Sequence, residues 1–494
     1  MRGANIGDYK DWYTDDRFAQ QQLTGVNPTT ITLASAEWVS RFKNAAKAQG
    51  LAKVEGLIAS AEPKSLYIQD CSYFREAIKI ASDETMISEQ ASGNRFACAA
   101  ISLFHLNKDG GLHPVGIVCD YRGSMEKSIT IFNQRLSPSD STRSEAKDWP
   151  WRYAKTCAQV SDWARHEITA HLTETHFIEE VVIVATHRCI PPGHPVYNLL
   201  EPHWLRTLSL NAAARSTLVP TVIFDLVGFQ GDQAYDFVRH AFDHFDFKSR
   251  YVPNDLKARG FPPEELDSPK FRNYAYGRNM ILMWKAIRKY VTSMIALTPL
   301  RDNAAVAADQ PIKAWCSEIQ RKDAGQIPSF PTVTTTSELI DAITMCIHIA
   351  SPQHTAVNYL QNFYQAFVIN RPAALYTPIP KSLSQLQNFK EDDLVKALPI
   401  GRTREWLLSS HVPHLLSFKV AEENNLINYA ASLFHTYKYK YGPGEQEIKK
   451  NAESFYNDLR ELIIKFKQHS DQMTKGTIPY EVMDPNATAV SILI

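Results

Sequence analysis

Helical periodicity is the feature that most constrains the fold of this chain, and it dominates the sequence from Trp151 onward. Apolar residues recur at helical spacing in five long segments, 151–184, 202–218, 274–297, 337–349 and 452–468. Loops rich in proline and aspartate separate these segments, as at 261–269. Helices of this kind must bury their apolar faces against one another, so the sequence predicts a mainly α fold.

A small β region interrupts this pattern at about 96–132. Residues 96–106 and 112–119 are apolar and tolerate a strand, and the turn-forming residues 107–111 lie between them. This order predicts a β-hairpin, which a short strand at 128–132 extends. We find no internal repeats or low-complexity tracts, so we expect a single domain over 1–494 with a small β-hairpin subdomain.

Composition narrows the class of protein further. Basic and acidic residues cancel at 53 each, and a chain without net charge has no field to hold a nucleic acid. The seven cysteines form no CxxC pair and are interpreted as reduced thiols. The first ten residues are polar, and no apolar run approaches the ~18 residues of a membrane span. The sequence predicts a cytoplasmic protein without a stable membrane anchor, with secretion as the alternative if a leader segment precedes Met1.

Two histidines, His166 and His171, lie inside a stretch that is too apolar and too long for a loop. Five residues of an α-helix turn through about 500°, which leaves the two rings ~140° apart. A π-turn, whose hydrogen bonds span five residues, brings both rings onto one face. A metal shared by this pair therefore requires a local π-helix. The zinc-protease motif HExxH does not fit, because the segment from His166 through Glu167 to His171 is one residue too long.

A second helical segment, 349–361, carries His354 and Asn358 four residues apart, with Gln361 one turn further. All three side chains project from roughly one face. Neutral imidazoles and amide oxygens bind divalent first-row metals, so these residues are candidate ligands. The alternative interpretation is that the histidines are hydrogen-bonded core residues, because the chain has 16 of them.

Other histidine pairs have comparable spacing. His171 and His176 repeat the interval of five residues, and His240 and His244 are four residues apart with Asp243 between them. The second cluster is also explained as a solvated helix end. Spacing alone does not decide among these pairs.

Several motifs together resemble the lipoxygenase family over residues 15–494. They are Phe18-Ala-Gln-Gln-Gln-Leu-Thr-Gly-Val-Asn-Pro28, Leu103-Phe-His-Leu-Asn-Lys-Asp-Gly110, Trp151-Arg-Tyr-Ala-Lys155 followed by His166, His171, Thr175 and His176, Ala185-Thr-His-Arg188, His194-Pro195, Leu199-Leu200, His354-Thr-Ala-Val-Asn358 with Gln361, Asn370-Arg-Pro372, and the ending Ser491-Ile-Leu-Ile494. Their joint order is specific to the family. The amino-terminal β-barrel of the family is expected to be absent, because the catalytic signature begins almost at once.

The resemblance implies a ligand set for one non-heme iron, with manganese as the alternative. It assigns the metal to His166, His171 and His354, to Asn358 as a weaker oxygen ligand, and to the free carboxylate of Ile494. Gln361 orients this set from a hydrogen-bonding position. Three neutral imidazoles and one carboxylate leave a coordination position open.

The activity implied by the resemblance is oxygenation of a polyunsaturated fatty acid, such as linoleate, by O₂ to a hydroperoxide. Hydroxide on the metal, and no side chain, removes the bis-allylic hydrogen. Arg371 is predicted to meet the substrate carboxylate, with a structural ion pair as its alternative role. Other functions left open are a manganese enzyme, a hydroperoxide isomerase on the same lipids, or a lipid-binding protein without turnover. We expect a monomer.

Overall fold

The structure is a computed structural model that describes residues 5–437 and 442–494. The predicted domain 1–494 also includes residues 1–4 and 438–441, which lie outside the described residues. Helices make up most of the chain, which confirms the predicted mainly α fold. The described helices before the β region are α1 (Asp15–Thr24), α2 (Ala36–Ala48), α3 (Ala52–Ser60) and α4 (Phe74–Ala77).

The described helices after the β region form the body of the molecule. They are α5 (Trp149–Ala164), α6 (Ile178–Cys189), α7 (Pro195–Leu200), α8 (Thr207–Ala213), α9 (Phe224–Leu226), α10 (Gly231–Asp243), α11 (Val252–Ala258), α12 (Ala275–Ile295), α13 (Asn303–Ala308), α14 (Gln310–Gln320), α15 (Thr336–His348), α16 (His354–Asn358), α17 (Gln361–Tyr364), α18 (Leu383–Gln387), α19 (Glu391–Ala397), α20 (Thr403–Leu415), α21 (Leu426–Tyr437) and α22 (Pro443–Gln472). Helix α12 is fully buried along much of its length, and it packs against α15 and α22.

An antiparallel sheet of five strands, in the order β1-β2-β5-β6-β7, lies before α5. Its strands are β1 (Thr32–Leu33), β2 (Leu66–Asp70), β5 (Ile101–Leu106), β6 (Leu112–Val118) and β7 (Thr130–Phe132), and β3 (Ile87–Ser88) and β4 (Arg95–Phe96) form a separate pair. The predicted hairpin is β5–β6, which pairs Ile101 with Val118 and Leu106 with Leu112 and shifts its register between Leu103 and Phe104. Asn107 closes its turn, because the side-chain oxygen accepts a hydrogen bond from the Gly111 amide at 2.8 Å.

The sequence prediction was wrong about where this hairpin begins. Strand β5 starts at Ile101, and the preceding Phe96 pairs with Ile87 in the smaller sheet. The sequence also gave no sign of β2, whose five residues pair with β5 along their whole length. A strand of five residues has little periodicity of its own, and its partner across the sheet decides its conformation.

In the described part of the chain, three helical segments have the wider π geometry: Arg165–Phe177, Ala214–Ile223 and Ile349–Gln353. The second and third contain a proline, Pro220 and Pro352, whose missing amide cannot complete an α-helical bond. In the first, the Thr173 hydroxyl donates to the Ile168 carbonyl five residues earlier, at 2.6 Å. The predicted π-helix around His166 and His171 is therefore present, and it connects α5 to α6 without a break in the helix.

No single helix of the described residues has the length and apolar character needed to cross a membrane; the segments Thr207–Leu226 and Gly231–Asp243, bent by 107°, meet that test only as a pair.

Candidate metal centre

Three imidazole rings converge in the middle of the molecule. The Nε2 atom of His176 lies 3.2 Å from Nε2 of His171 and 3.2 Å from Nε2 of His354. Candidate ligand atoms of the three residues all lie within 4.8 Å of one another, and the side chains are buried. His171 and His176 come from the π-helix Arg165–Phe177, and His354 comes from the first residue of α16. Three nitrogens this close together form a ready ligand set for one metal ion.

Burial keeps these rings neutral. It lowers the pKa of His171 to about 4 and of His176 to about 3, and it lowers the pKa of His354 well below its usual value. Asn211 fixes the tautomer of His176, because the Asn211 side-chain oxygen lies 2.8 Å from Nδ1 of that ring. Nδ1 then carries the proton and donates it, which leaves the lone pair on Nε2, the atom that faces the other two rings.

His166 lies outside this set, so the predicted trio of His166, His171 and His354 needs correction. The His166 ring stacks on His171 at 5.8 Å between centroids, and its Nδ1 lies 3.2 Å from the Asn27 side-chain oxygen. The rings of His176 and His354 are 5.0 Å apart. His166 and His171 are five residues apart, as are His171 and His176, and a π-helix aligns side chains at this spacing. Helix α16 packs beside the second pair, His171 and His176. The signal for His176 was therefore in the sequence, but spacing could not choose between the pairs.

Glu167 completes a second buried group with His166 and His171. Its carboxylate oxygens lie 3.8 Å from Nε2 of His166 and 3.7 Å from Nδ1 of His171, both beyond hydrogen-bonding distance. Burial raises the pKa of Glu167 to about 8, so the carboxyl group holds a proton at neutral pH. The three-histidine set is the more compact of the two groups, because Nε2 of His176 lies 3.2 Å from Nε2 of both other rings, and it is therefore the better candidate.

Asn358 and Gln361 are both fully buried beside this set, but the helix predicted over 349–361 is interrupted, because α16 ends at Asn358 and Gln361 begins α17. The Gln361 amide donates to the Asn358 side-chain oxygen at 2.7 Å. Within the described residues, the Asn358 amide nitrogen and the Gln361 side-chain oxygen have no hydrogen-bond partner. The unpartnered Gln361 oxygen can accept a hydrogen bond from a group bound beside it, and the Asn358 amide nitrogen can donate one. This hydrogen bond orients Asn358. The roles of both residues at a metal, which the family resemblance implies, stay predictions.

The carboxyl-terminal tail runs through the core to the three histidines. The Ser351 hydroxyl donates to the Ala489 carbonyl at 2.5 Å, and the Ala489 amide donates to the Thr355 hydroxyl at 3.0 Å. The His203 ring holds the Val490 carbonyl at 2.6 Å. The tail ends at Ile494, whose main chain lies near enough to the His354 ring to raise its pKa against the effect of burial. The predicted carboxylate ligand therefore lies beside one of the three imidazoles.

Arg371 is buried in an ion pair with Asp162 and also donates to the Gln159 side-chain oxygen at 3.1 Å. Asp162 in turn accepts a hydrogen bond from Asn27 at 2.7 Å. These contacts pair both terminal nitrogens of the guanidinium with side chains of helix α5. The geometry favours the structural role, which the sequence left as the alternative to a contact with substrate carboxylate.

The rival cluster of His240 and His244 lies elsewhere, at the end of α10. Their rings stack at 4.0 Å, and the His244 Nδ1 bonds to the His240 carbonyl. His244 is exposed, as a solvated helix end predicts. Among the described residues, no third histidine, cysteine or acidic side chain completes a metal-binding group with this pair.

The buried donor set consists of three neutral imidazoles with an amide oxygen and a chain terminus beside them, and such donors suit a divalent first-row metal. Fold and site together therefore define a class of mainly helical metalloenzymes. Residues 82–485 match the family model described as lipoxygenase. The chain belongs to the lipoxygenase family, and it is therefore an oxidoreductase of the dioxygenase type.

Similar proteins support this membership along the whole chain. A manganese lipoxygenase of Pleurotus sapidus is 48% identical, covering 100% of this chain and 76% of the relative. A linoleate 9/13-lipoxygenase of Pseudomonas aeruginosa is 31% identical over 78% of this chain, which spans 54% of that relative's length. The crystal structure of a fungal lipoxygenase from Fusarium graminearum superposes with a TM-score of 0.95 at 46% identity, covering 100% of this chain and 82% of that one.

Proposed function

We propose that this lipoxygenase converts polyunsaturated fatty acids, such as linoleate, and O₂ to fatty-acid hydroperoxides. The observation that carries the proposal is the convergence of His171, His176 and His354 next to the chain end at Ile494. We assign one non-heme metal to these three rings, to Asn358 and to the carboxylate of Ile494. When bound, such a metal supplies the one-electron redox chemistry that hydrogen abstraction from a bis-allylic carbon requires.

The protein atoms around this set have three tasks in the proposed reaction. Burial keeps the imidazoles unprotonated, and Asn211 holds His176 in the tautomer that presents Nε2. Ile168 and Leu172, on the same π-helix, pack in an apolar cluster with Val219 and Val412 and exclude water from that side of the helix.

The metal in the proposed site is manganese or iron. The sequence favours iron, whereas the relative from Pleurotus sapidus is named a manganese lipoxygenase. The donor types suit either ion, since imidazole, amide and carboxylate groups bind both. We take manganese as the first metal to test because that relative is similar over the full chain.

Metal analysis and product analysis on the purified chain test the proposal together. We expect about one metal ion per chain, with conjugated-diene absorbance rising and oxygen falling in equal amounts when linoleate is added. Diene formation without oxygen uptake contradicts the dioxygenase, as does oxygen-independent conversion of added hydroperoxide, which indicates an isomerase. Linoleate binding with no conversion by metal-loaded protein indicates a lipid-binding protein without turnover.

Replacing Arg371 with leucine separates its two possible roles. We expect the free energy of unfolding to fall by about 3 to 5 kcal/mol, because the change leaves Asp162 buried without its partner. Activity should fall equally on linoleate and on methyl linoleate. Chemical denaturation and Michaelis constants on both substrates measure these effects.

The control is Arg288→Leu, which breaks a half-exposed ion pair with Asp341 and should cost at most about 1 kcal/mol. A Michaelis constant raised for linoleate alone, with stability unchanged, restores the substrate-carboxylate role of Arg371.

The monomeric state, the absence of a stable membrane anchor and the cytoplasmic location stay predictions from the sequence. Size-exclusion chromatography with light scattering tests the first of these.

A further inference from the structure

The orientation of the Asn211 side chain decides which nitrogen of His176 faces the other two imidazoles. The side-chain oxygen of Asn211 lies 2.8 Å from Nδ1 of that ring. If the amide were turned over, its nitrogen would lie there instead, and Nδ1 could only accept a hydrogen bond. The ring proton would then be on Nε2, which removes the lone pair that binds a metal. The candidate metal centre therefore depends on what fixes this amide.

Two acceptors hold the nitrogen of the Asn211 amide. It donates to the His176 carbonyl at 2.9 Å and to a carboxylate oxygen of Glu180 at 2.9 Å. Both amide hydrogens are thereby used, and Asn211 is fully buried. If the amide were turned over, its oxygen would face two acceptors and find no donor, which is costly in a buried site. Of the two acceptors the carboxylate is charged, and hydrogen bonds to charged groups are the stronger ones.

Two pairs of residues, each about one helical turn apart, bring these groups together. His176 and Glu180 are four residues apart around the start of α6. Asn211 and Arg215 are four residues apart around the end of α8. Residues at this spacing lie on one face of a helix, so the two helices present matching polar faces to each other.

Arg215 pairs with the same carboxylate from the solvent side. Its Nη1 donates to Oε2 of Glu180 at 2.5 Å, and the side chains of Arg215 and Glu180 are 47% and 22% exposed. An ion pair with this much exposure contributes little to stability. The hydrogen bond to Asn211 is therefore the contact through which Glu180 can act on the metal centre.

We propose that Glu180 is a positioning residue of the metal centre. Its carboxylate holds the Asn211 amide so that the amide oxygen accepts the proton of His176 Nδ1. Its charge also polarises the amide and strengthens that hydrogen bond, which makes Nε2 a better donor to a metal. The inference rests on the proposed function, because it assumes that His176 is a ligand.

The affinity of the chain for Mn(II) tests the proposal, measured by equilibrating metal-loaded protein against chelator-buffered Mn(II). We expect Glu180→Gln to weaken binding by about tenfold or more, as for other partners behind a metal ligand. Arg215→Gln breaks the same ion pair but leaves the carboxylate on Asn211, so we expect a change of about threefold or less. The matched control Glu318→Gln breaks the ion pair of α6 with Arg188 and should leave the affinity unchanged.

A double-mutant cycle shows whether Glu180 acts through Asn211. Asn211→Ala removes the amide, so adding Glu180→Gln should then cost little further affinity. Melting temperatures check that each variant is folded. The electron paramagnetic resonance spectrum of bound Mn(II) should change in Glu180→Gln and not in Arg215→Gln. If Asn211→Ala does not fold, the affinities and spectra of these two single variants decide.

Equal losses of affinity in Glu180→Gln and Arg215→Gln overturn the proposal, because a purely structural ion pair needs both partners alike. Unchanged affinity in Glu180→Gln, or additive losses in the cycle, also overturns it. A chain that binds no Mn(II) overturns it together with the metal assignment. A chain that shows the expected affinities but oxygenates no fatty acid leaves the role of Glu180 intact and contradicts only the proposed function.

Discussion

Replacing His176 with alanine is expected to remove the bound metal and abolish turnover, whereas replacing His166 with alanine leaves the metal in place. The Nε2 atom of His176 lies 3.2 Å from the matching atoms of both His171 and His354, so it is the centre of the proposed set. Loss of an outer hydrogen-bonding partner typically weakens metal affinity by about 10 to 100-fold, and loss of a ligand costs more. We therefore expect the activity of the His176 variant to fall by more than about a hundredfold, which exceeds the usual effect of losing an outer partner.

His166 contacts Asn27 and stacks on His171, so its removal should reduce activity within about tenfold by loosening the neighbouring ring. Metal content by mass spectrometry and diene formation measure both variants, and circular dichroism checks the helical fold. His244→Ala is the control for removing a histidine, because that ring is exposed at the end of α10. Full metal occupancy without His176, together with loss of metal without His166, would return the assignment to the set predicted from the sequence.

Extending the chain beyond Ile494 is expected to have an effect of the same size. A carboxyl-terminal tag converts the terminal carboxylate to an amide, which removes the negative charge placed beside His354. Residues 491–493 are buried and Ile494 is partly buried. A carboxylate that is partly withdrawn from water is stabilised by a bound cation, so the metal and the charge support each other. We expect metal binding and turnover to be lost while the helical fold persists.

Three variants make this experiment specific to the carboxylate. Deleting Ile494 withdraws the carboxylate by one residue and should act like the tag, whereas Ile494→Val keeps the carboxylate in place and should retain metal. An amino-terminal tag should be harmless. If the protein bearing the carboxyl-terminal tag is metal-loaded and active, Ile494 is not a ligand. If Ile494→Val loses its metal, the tag acts by disturbing the packing of the tail and not by removing the charge.

The tail illustrates how much the sequence could predict about this site. An apolar ending such as 490–494 disfavours water, so burial of the terminus follows from composition. Composition does not predict where the tail binds, because Ser351, Thr355 and His203, which hold it, are distant from it in sequence. The contact of His203 with the Val490 carbonyl could not be predicted, because the two residues are 287 positions apart in sequence.

Local sequence determined the helices, the β5–β6 hairpin and the need for a π-helix around His171, since each depends on periodicity or turn chemistry within a few residues. It also placed His354 and Asn358 on one helix face with Gln361 beside them. Tertiary structure decided which neighbour of His171 faces His354, because two pairs share one spacing and only the packing of α16 distinguishes them. It likewise placed Asp162 against Arg371, since a cation buried far from solvent binds the carboxylate that the fold brings to it.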